Sequence, residues 1–279
     1  MIPAAPVPPV FVLEPGGART SVRLRELWEY RELVYFMAWR DVKVRYKQTV
    51  LGVTWAVLQP FLTMVVFSVV FGRLAGIPSD GVPYPVFAFA ALVPWQLFAY
   101  ALSQTSSSVV ANQALVTRVY FPRLVIPLAS ILAGLVDYAI ALAVLFLLAA
   151  WYGVWPGPAI LVLPALTLLV VVTALAVGSW LAVLNARYRD VSYVVPFLVQ
   201  LWLFATPVAY PASLVPEGWR LLFGLNPMAG VVEAYRWAIL GAGTAPGPLL
   251  LVSTAVTVVL LALGLAYFSR SEATMADVI

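Results

Sequence analysis

The stretch LVIPLASILAGLVDYAIALAVLFLLAAW, Leu124–Trp151, decides the fold. Its only charge is Asp137, and its apolar residues run on without alternating with polar ones. A helix needs about 20 such residues to cross about 30 Å of hydrocarbon. Barrel strands would alternate apolar and polar positions, so this stretch reads as a transmembrane helix. Five more stretches have the same character, approximately Thr49–Phe71, Val86–Val110, Ala159–Leu184, Val191–Tyr210 and Leu249–Phe268. Pro60, Pro94 and Pro164 fall within them and are candidate kinks.

The rest of the composition agrees. Of 279 residues, 63% are hydrophobic and 10% charged, with a mean hydropathy of +0.97. Soluble domains carry about a quarter charged residues. There are no cysteines and no histidines, which removes thiolate nucleophiles, the usual zinc ligand sets and histidine acid–base chemistry. The acids are scattered singly, so no magnesium-holding cluster of a membrane transferase is present, and the phosphate-cradling pattern G-x-x-x-x-G-K-[ST] is absent. The sequence therefore offers no catalytic residue and no metal site.

Basic residues give the orientation. Of the 16 Lys and Arg, all but Arg73, Arg220 and Arg236 fall in segments on one side of the spans, which is expected to be the cytoplasm. That distribution explains the net charge of +4 as topology rather than as a nucleic-acid surface. Both termini then lie inside. The expected layout is a Pro-rich flexible tail over 1–22, an amphipathic interfacial helix over 23–48, a membrane domain over 49–270 and a cytoplasmic tail over 271–279. In the interfacial helix Leu27, Tyr30, Val34 and Met37 share one face, and Trp28, Tyr35, Phe36 and Trp39 suit a membrane boundary. Residues 211–240 hold apolar runs too short to cross, broken by Pro216 and Pro227, and are expected to form a re-entrant helix pair in the outer leaflet. The fold class is all-α integral membrane, with six spans.

Asp137 is the one clearly intramembrane charge, and such residues are functional by default. The structural alternative is a hydrogen-bonded aspartate that fixes helix packing, and the lack of a second intramembrane charge for a relay favours it. The 10 Trp, 13 Tyr and 14 Phe fit interfacial belts and lipid-facing packing as well as sugar contacts.

Specific residues carry a family resemblance. Arg40-Asp41-Val42-Lys43-Val44-Arg45-Tyr46-Lys47-Gln48-Thr49, followed by Leu51-Gly52, Trp55 and Leu58-Gln59-Pro60, resembles the start of the permeases of type-2 ABC polysaccharide exporters, those of O-antigen (Wzm-like) or teichoic acid (TagG-like). Asn112 with Leu115-Val116, then Arg118-Val119-Tyr120-Phe121-Pro122-Arg123, resembles the loop between their second and third spans. Arg187-Tyr188-Arg189-Asp190-Val191 is similar to their fourth-to-fifth turn, and Asn226-Pro227-Met228 with Glu233 and Arg236 to the segment before the last span.

The resemblance implies a homodimer in the bacterial inner membrane bound to two copies of a cytoplasmic ABC ATPase. That partner would bind ATP and Mg, leaving this chain without a cofactor or enzymatic activity of its own. The loop 111–123 would couple to the ATPase through Asn112, Gln113, Leu115, Val116, Arg118 and Tyr120, with Arg187, Arg189 and Asp190 on the same face. The cargo would be a polyprenyl-diphosphate-linked glycan, whose diphosphate Arg40, Lys43, Arg45 and Lys47 would attract. Attraction to anionic lipids explains those four charges as well. A channel between protomers would be lined by Trp55, Trp95, Tyr100, Tyr193 and Phe204. Alternative cargoes are teichoic acid, capsular glycan, lipid or drug; a membrane-embedded glycosyl- or prenyltransferase fits less well.

Overall fold

The computed structural model describes residues 24–47, 52–119, 121–241, 245 and 247–278, and every regular element among these is helical. Among the described residues five helices are long and apolar enough to cross a membrane: Thr54–Leu74, Tyr84–Ala111, Val125–Trp151, Pro158–Arg187 and Pro248–Glu272. The elements in order are α1 (Leu24–Glu29), α2 (Arg31–Lys47), α3 (Gly52–Phe67, continued by a π-helical turn Ser68–Leu74), α4 (Tyr84–Ala111), α5 (Gln113–Arg118) and α6 (Val125–Trp151). Then come α7 (Leu163–Arg187, preceded by a 3₁₀ turn Pro158–Val162), α8 (Val191–Ala205), α9 (Glu217–Phe223), α10 (Pro227–Leu240) and α11 (Pro248–Val278). The N-terminal segment 1–22 lies outside the described residues.

α4 is the axis of the bundle. Within its most apolar stretch 78% of residues are buried, against 17% for the stretches in α3 and α11. α6, α7 and α10 pack around it, and α11 packs on α7. Lipid tails are as apolar as leucine, so burial alone gives no drive to helix association here; close packing of small residues does. Gly264 of α11 shows this, since a Cβ there would stand 2.6 Å from the Ala176 carbonyl oxygen of α7. Polar contacts along that seam are Thr173 to Thr257 at 3.0 Å between hydroxyls and the Trp180 indole donating to the Leu260 carbonyl at 3.4 Å.

The stretch expected as a fifth span behaves differently. α8 has 15 residues, about 22 Å at 1.5 Å per residue, short of the roughly 30 Å hydrocarbon core. It stops because Thr206 precedes Pro207 and takes extended angles (φ −99°, ψ 144°), the conformation that a following proline favours. Pro60 and Pro94 sit inside α3 and α4. Pro164 sits in the first turn of α7, where its missing N–H has no intrahelical partner to lose.

The interfacial segment is two helices that meet at Tyr30, not one. Its expected apolar face does turn inward. Met37 is buried in a cluster with Val109, Val116, Phe121, Val125, Ile126, Val183 and Phe268, and Leu27, Tyr30 and Val34 pack against it. Trp28, Tyr35, Phe36 and Trp39 remain exposed on the outer side. This cluster joins the basic ends of α4, α6, α7 and α11 to α2 and α5, separately from the larger core that runs through the bundle.

Candidate functional site

Three polar sites stand out, one at each end and one among the spans. At the basic end, α5 is a single short helix wedged between α4 and α6. Val116 is its buried anchor. Asn112 joins it to α4 and α2: its amide nitrogen donates to the Ser108 carbonyl (2.9 Å), and its oxygen accepts from the Arg40 guanidinium (3.0 Å). Leu115 is half-buried, while Gln113, Thr117 and Arg118 face outward. Tyr120 lies outside the described residues. Arg187, Arg189 and Asp190 are all exposed on the turn from α7 to α8. On α2, Arg40 also pairs with Asp41 at 2.8 Å, and Lys43 sits over the Trp39 ring, 5.4 Å from its centroid. Lys47 is exposed at the end of the helix.

The second site is where α2 meets the spans. Arg45 pairs with Oδ2 of Asp137, and the Tyr46 hydroxyl donates to Oδ1. The Arg45 guanidinium lies over the Tyr100 ring, 4.3 Å from its centroid. That ring lies against Gly134, where a Cβ would come within 2.3 Å of it. Burial, and then the hydrogen bond to Asp137, hold the Tyr46 phenol protonated well above its ordinary range. Asp137 therefore has a cationic partner, supplied by the N-terminal helix and not by another span. Sequence separation of 92 residues hides this pairing from a linear reading.

The other aromatic candidates part company. Trp95 is 4% exposed and packs on Phe98 (centroids 5.4 Å), which meets Trp202 edge-on at 5.0 Å. Trp55, Tyr193 and Phe204 are exposed.

The third site lies at the opposite end. Arg236 of α10 is 1% exposed and sits over the Phe87 ring, 3.6 Å from its centroid. Its guanidinium donates to the carbonyls of Phe87 (3.3 Å), Pro207 (2.6 Å), Val208 (2.6 Å) and Tyr210 (3.2 Å), and to Glu233 Oε1 (2.9 Å). Glu233 also accepts from the Ala212 N–H at 3.1 Å. One i,i+3 pair thus satisfies most of the irregular backbone that follows α8. Asn226 completes the fastening. It caps α10 by accepting from the Met228 N–H (3.0 Å), accepts from the Trp202 indole (2.9 Å) and donates to the Ala205 carbonyl (3.1 Å). Deeper in the bundle, the hydroxyls of Tyr138, Thr167 and Tyr235 form a triangle with edges of 2.7, 2.8 and 3.0 Å. The sequence singled out Asn226, Glu233 and Arg236 only as family motif; the signal for their role was that Arg236 is one of just three basic residues on its side of the spans.

Set beside known proteins, this architecture has a family. The model for ABC-2 type transporters matches residues 32–240. The chain belongs to that family. This ABC-2 transporter is 32% identical over 216 residues to the O-antigen export system permease protein RfbA of Myxococcus xanthus, covering 76% of this chain and 82% of the relative. It is 25% identical over 249 residues to the protein of the same name from Klebsiella pneumoniae, covering 89% and 95%. With the polysialic acid transport protein KpsM of Escherichia coli it shares 25% identity over 241 residues, covering 85% and 92%. The first two relatives are named as export permeases and the third as a transport protein, and this ABC-2 chain is a multi-pass membrane protein.

Proposed function

We propose that this chain is the membrane subunit of an ATP-driven exporter that moves a polyprenyl-diphosphate-linked polysaccharide of O-antigen type across the bacterial inner membrane. The observation that carries the reading is α5, a short helix held from behind by Val116 and Asn112 with Gln113, Thr117 and Arg118 turned outward, in a chain of the ABC-2 family. Two copies of the chain would assemble with two cytoplasmic ATPase subunits, which bind ATP and Mg. The basic end is the cytoplasmic face, and both termini lie there. Closure of the ATPases pushes α5, and the shared cluster around Met37 and Phe268 passes that displacement to α2, α4, α6, α7 and α11 together. α8 and the turns that follow it make the sixth crossing, and α9 with α10 forms the re-entrant pair. Exposed Trp55, Tyr193 and Phe204 give sugar rings apolar faces to slide against. A capsular, polyanionic glycan is the second reading, favoured by the similarity to the polysialic acid transport protein.

The test is co-expression of the tagged chain with the ABC ATPases of polysaccharide-exporter type from its own genome. The expected results are a stable complex and restored surface glycan in a strain lacking its own permease, both lost with Arg118→Glu. A chain that purifies without any ATPase and restores no glycan would sink the reading.

A further inference from the structure

We infer that α11 is a connecting rod which carries the motion of the α5 loop to α9 and α10 at the opposite end. Glu272 and Ser253, one at each end of the rod, are then positioning residues for transport. This rests on the proposed reading that α5 docks the ATPase. At the basic end the grip is reciprocal. The Arg123 N–H donates to Glu272 Oε1 at 2.9 Å, and the Arg123 guanidinium donates to the Glu272 backbone carbonyl. α6 begins at Val125 without a side-chain cap of its own, so the carboxylate also brings negative charge to its positive end. One turn back on the same face of α11, Phe268 shares an apolar cluster with Phe121 and with Val116 of α5. The chain that leaves α5 is thus held to α11 by a polar and an apolar contact.

The far end of α11 is fastened as closely. Ser253 is buried; its hydroxyl reaches the carbonyls of Gly224 (3.0 Å) and Asn226 (3.1 Å) and accepts from the Gly230 N–H (3.2 Å). Those three residues span the junction of α9 and α10. The helix backbones also touch there, since a Cβ on Gly230 would stand 2.7 Å from the Leu250 Cα. Between these ends α11 runs unbroken over Pro248–Val278, with no proline inside it. Ser253 and Glu272 are about 28 Å apart at about 1.5 Å per residue, close to the depth of a hydrocarbon core. Along that length α7 stiffens the rod: Gly264 lets it approach the Ala176 carbonyl, and the Tyr267 ring stacks on Trp180 with centroids 5.2 Å apart. A rigid helix held by hydrogen bonds at both ends passes a displacement from one site to the other. α6 receives the motion of α5 directly along the chain, whereas α9 and α10 receive it through α11. The two routes can therefore be separated by mutation.

The experiment uses the full chain with its ATPase in nanodiscs, carrying a bimane fluorophore on one introduced cysteine. The label sits at Trp219→Cys on α9 or at Trp151→Cys at the end of α6, both exposed positions. ATP with vanadate is added, and the change in bimane fluorescence is read. With no other substitution, both labels are expected to respond. Glu272→Ala should cut the α9 response about fivefold or more, the low end of couplings between distant sites. ATPase binding, ATP hydrolysis and the α6 response should stay within twofold. Glu272→Gln, whose amide oxygen still accepts from Arg123, should keep most of the α9 response. Ser253→Ala releases the other end and should silence α9 in the same selective way. An α9 response that survives Glu272→Ala and Ser253→Ala overturns the rod. So does equal loss of both responses, which would make these contacts part of general stability. A label on α6 that responds without the one on α9 in the unsubstituted chain also overturns it, and leaves the ATP-driven reading standing. Silence of both labels there, with the ATPase bound, overturns that reading as well. If Glu272→Ala fails to assemble, Ser253→Ala decides by the same comparison of the two labels.

Discussion

Three of the four backbone carbonyls that converge on Arg236 belong to residues 207–210, which follow no regular helix, and within a bilayer such oxygens have no water to turn to. Only a planar fork of donors reaches several of them at once, and an ammonium group does not. Arg236→Ala is therefore expected to lower stability by about 3 kcal/mol, the scale of breaking a buried charge pair. Arg236→Lys should recover less than half of that loss. Unfolding of the purified chain in mixed micelles, followed by tryptophan fluorescence, measures both; full recovery by lysine would show that charge alone suffices. At Gly134 the issue is space. Its Cβ would sit 2.3 Å from a carbon of the rigid Tyr100 ring, so Gly134→Ala must displace the ring under Arg45. Overpacking of this kind costs about 1–3 kcal/mol. Gly134→Ala paired with Tyr100→Leu should be less destabilised than Gly134→Ala alone, and equal losses would mean that the ring is not what the alanine meets.

α5 shows how one element can have a fold role on one side and a contact role on the other. Val116→Asp places an unpaired charge in the cluster that holds Met37, Phe121 and Phe268, and should lower both melting temperature and ATPase binding. Arg118→Glu changes an exposed position, so melting should stay within about 0.5 kcal/mol of wild type while ATPase co-purification falls at least tenfold. Equal loss of stability in the two variants would undo that division of labour. The position of this element was legible in the sequence, because a short polar interruption between two long apolar runs has only a loop to become. The inward stripe Leu27, Tyr30, Val34, Met37 was legible too, from helical spacing. The partnership of Arg45 with Asp137 was not, because it depends on how α2 crosses α6. The enclosure of Trp95 was equally hidden, since periodicity gives a helix a buried face without saying which helix becomes the axis.

For the molecule as a whole, the open quantity is how many times the chain crosses, and it turns on α8. Among the described residues five helices have the length to span, whereas α8 has 15 residues and is followed by turns and bends over 206–210. An odd number of crossings would set the two ends of the chain on opposite faces, and six sets them on the same one. The carbonyls of Pro207, Val208 and Tyr210, in the turns and bends that follow α8, are satisfied by Arg236, and irregular backbone is tolerated within a bilayer where protein satisfies it in this way. The sequence contains no cysteine, so single reporters can be placed without a background to remove. Trp28→Cys and Arg270→Cys replace exposed side chains at the two ends of the described chain, and Trp155→Cys replaces one between α6 and α7. In intact spheroplasts a membrane-impermeant maleimide is expected to label Trp155→Cys alone. After permeabilisation Trp28→Cys and Arg270→Cys should label together. Labelling of Arg270→Cys from outside, with Trp28→Cys still protected, would establish an odd count and make α8 a helix that starts and ends on the cytoplasmic side.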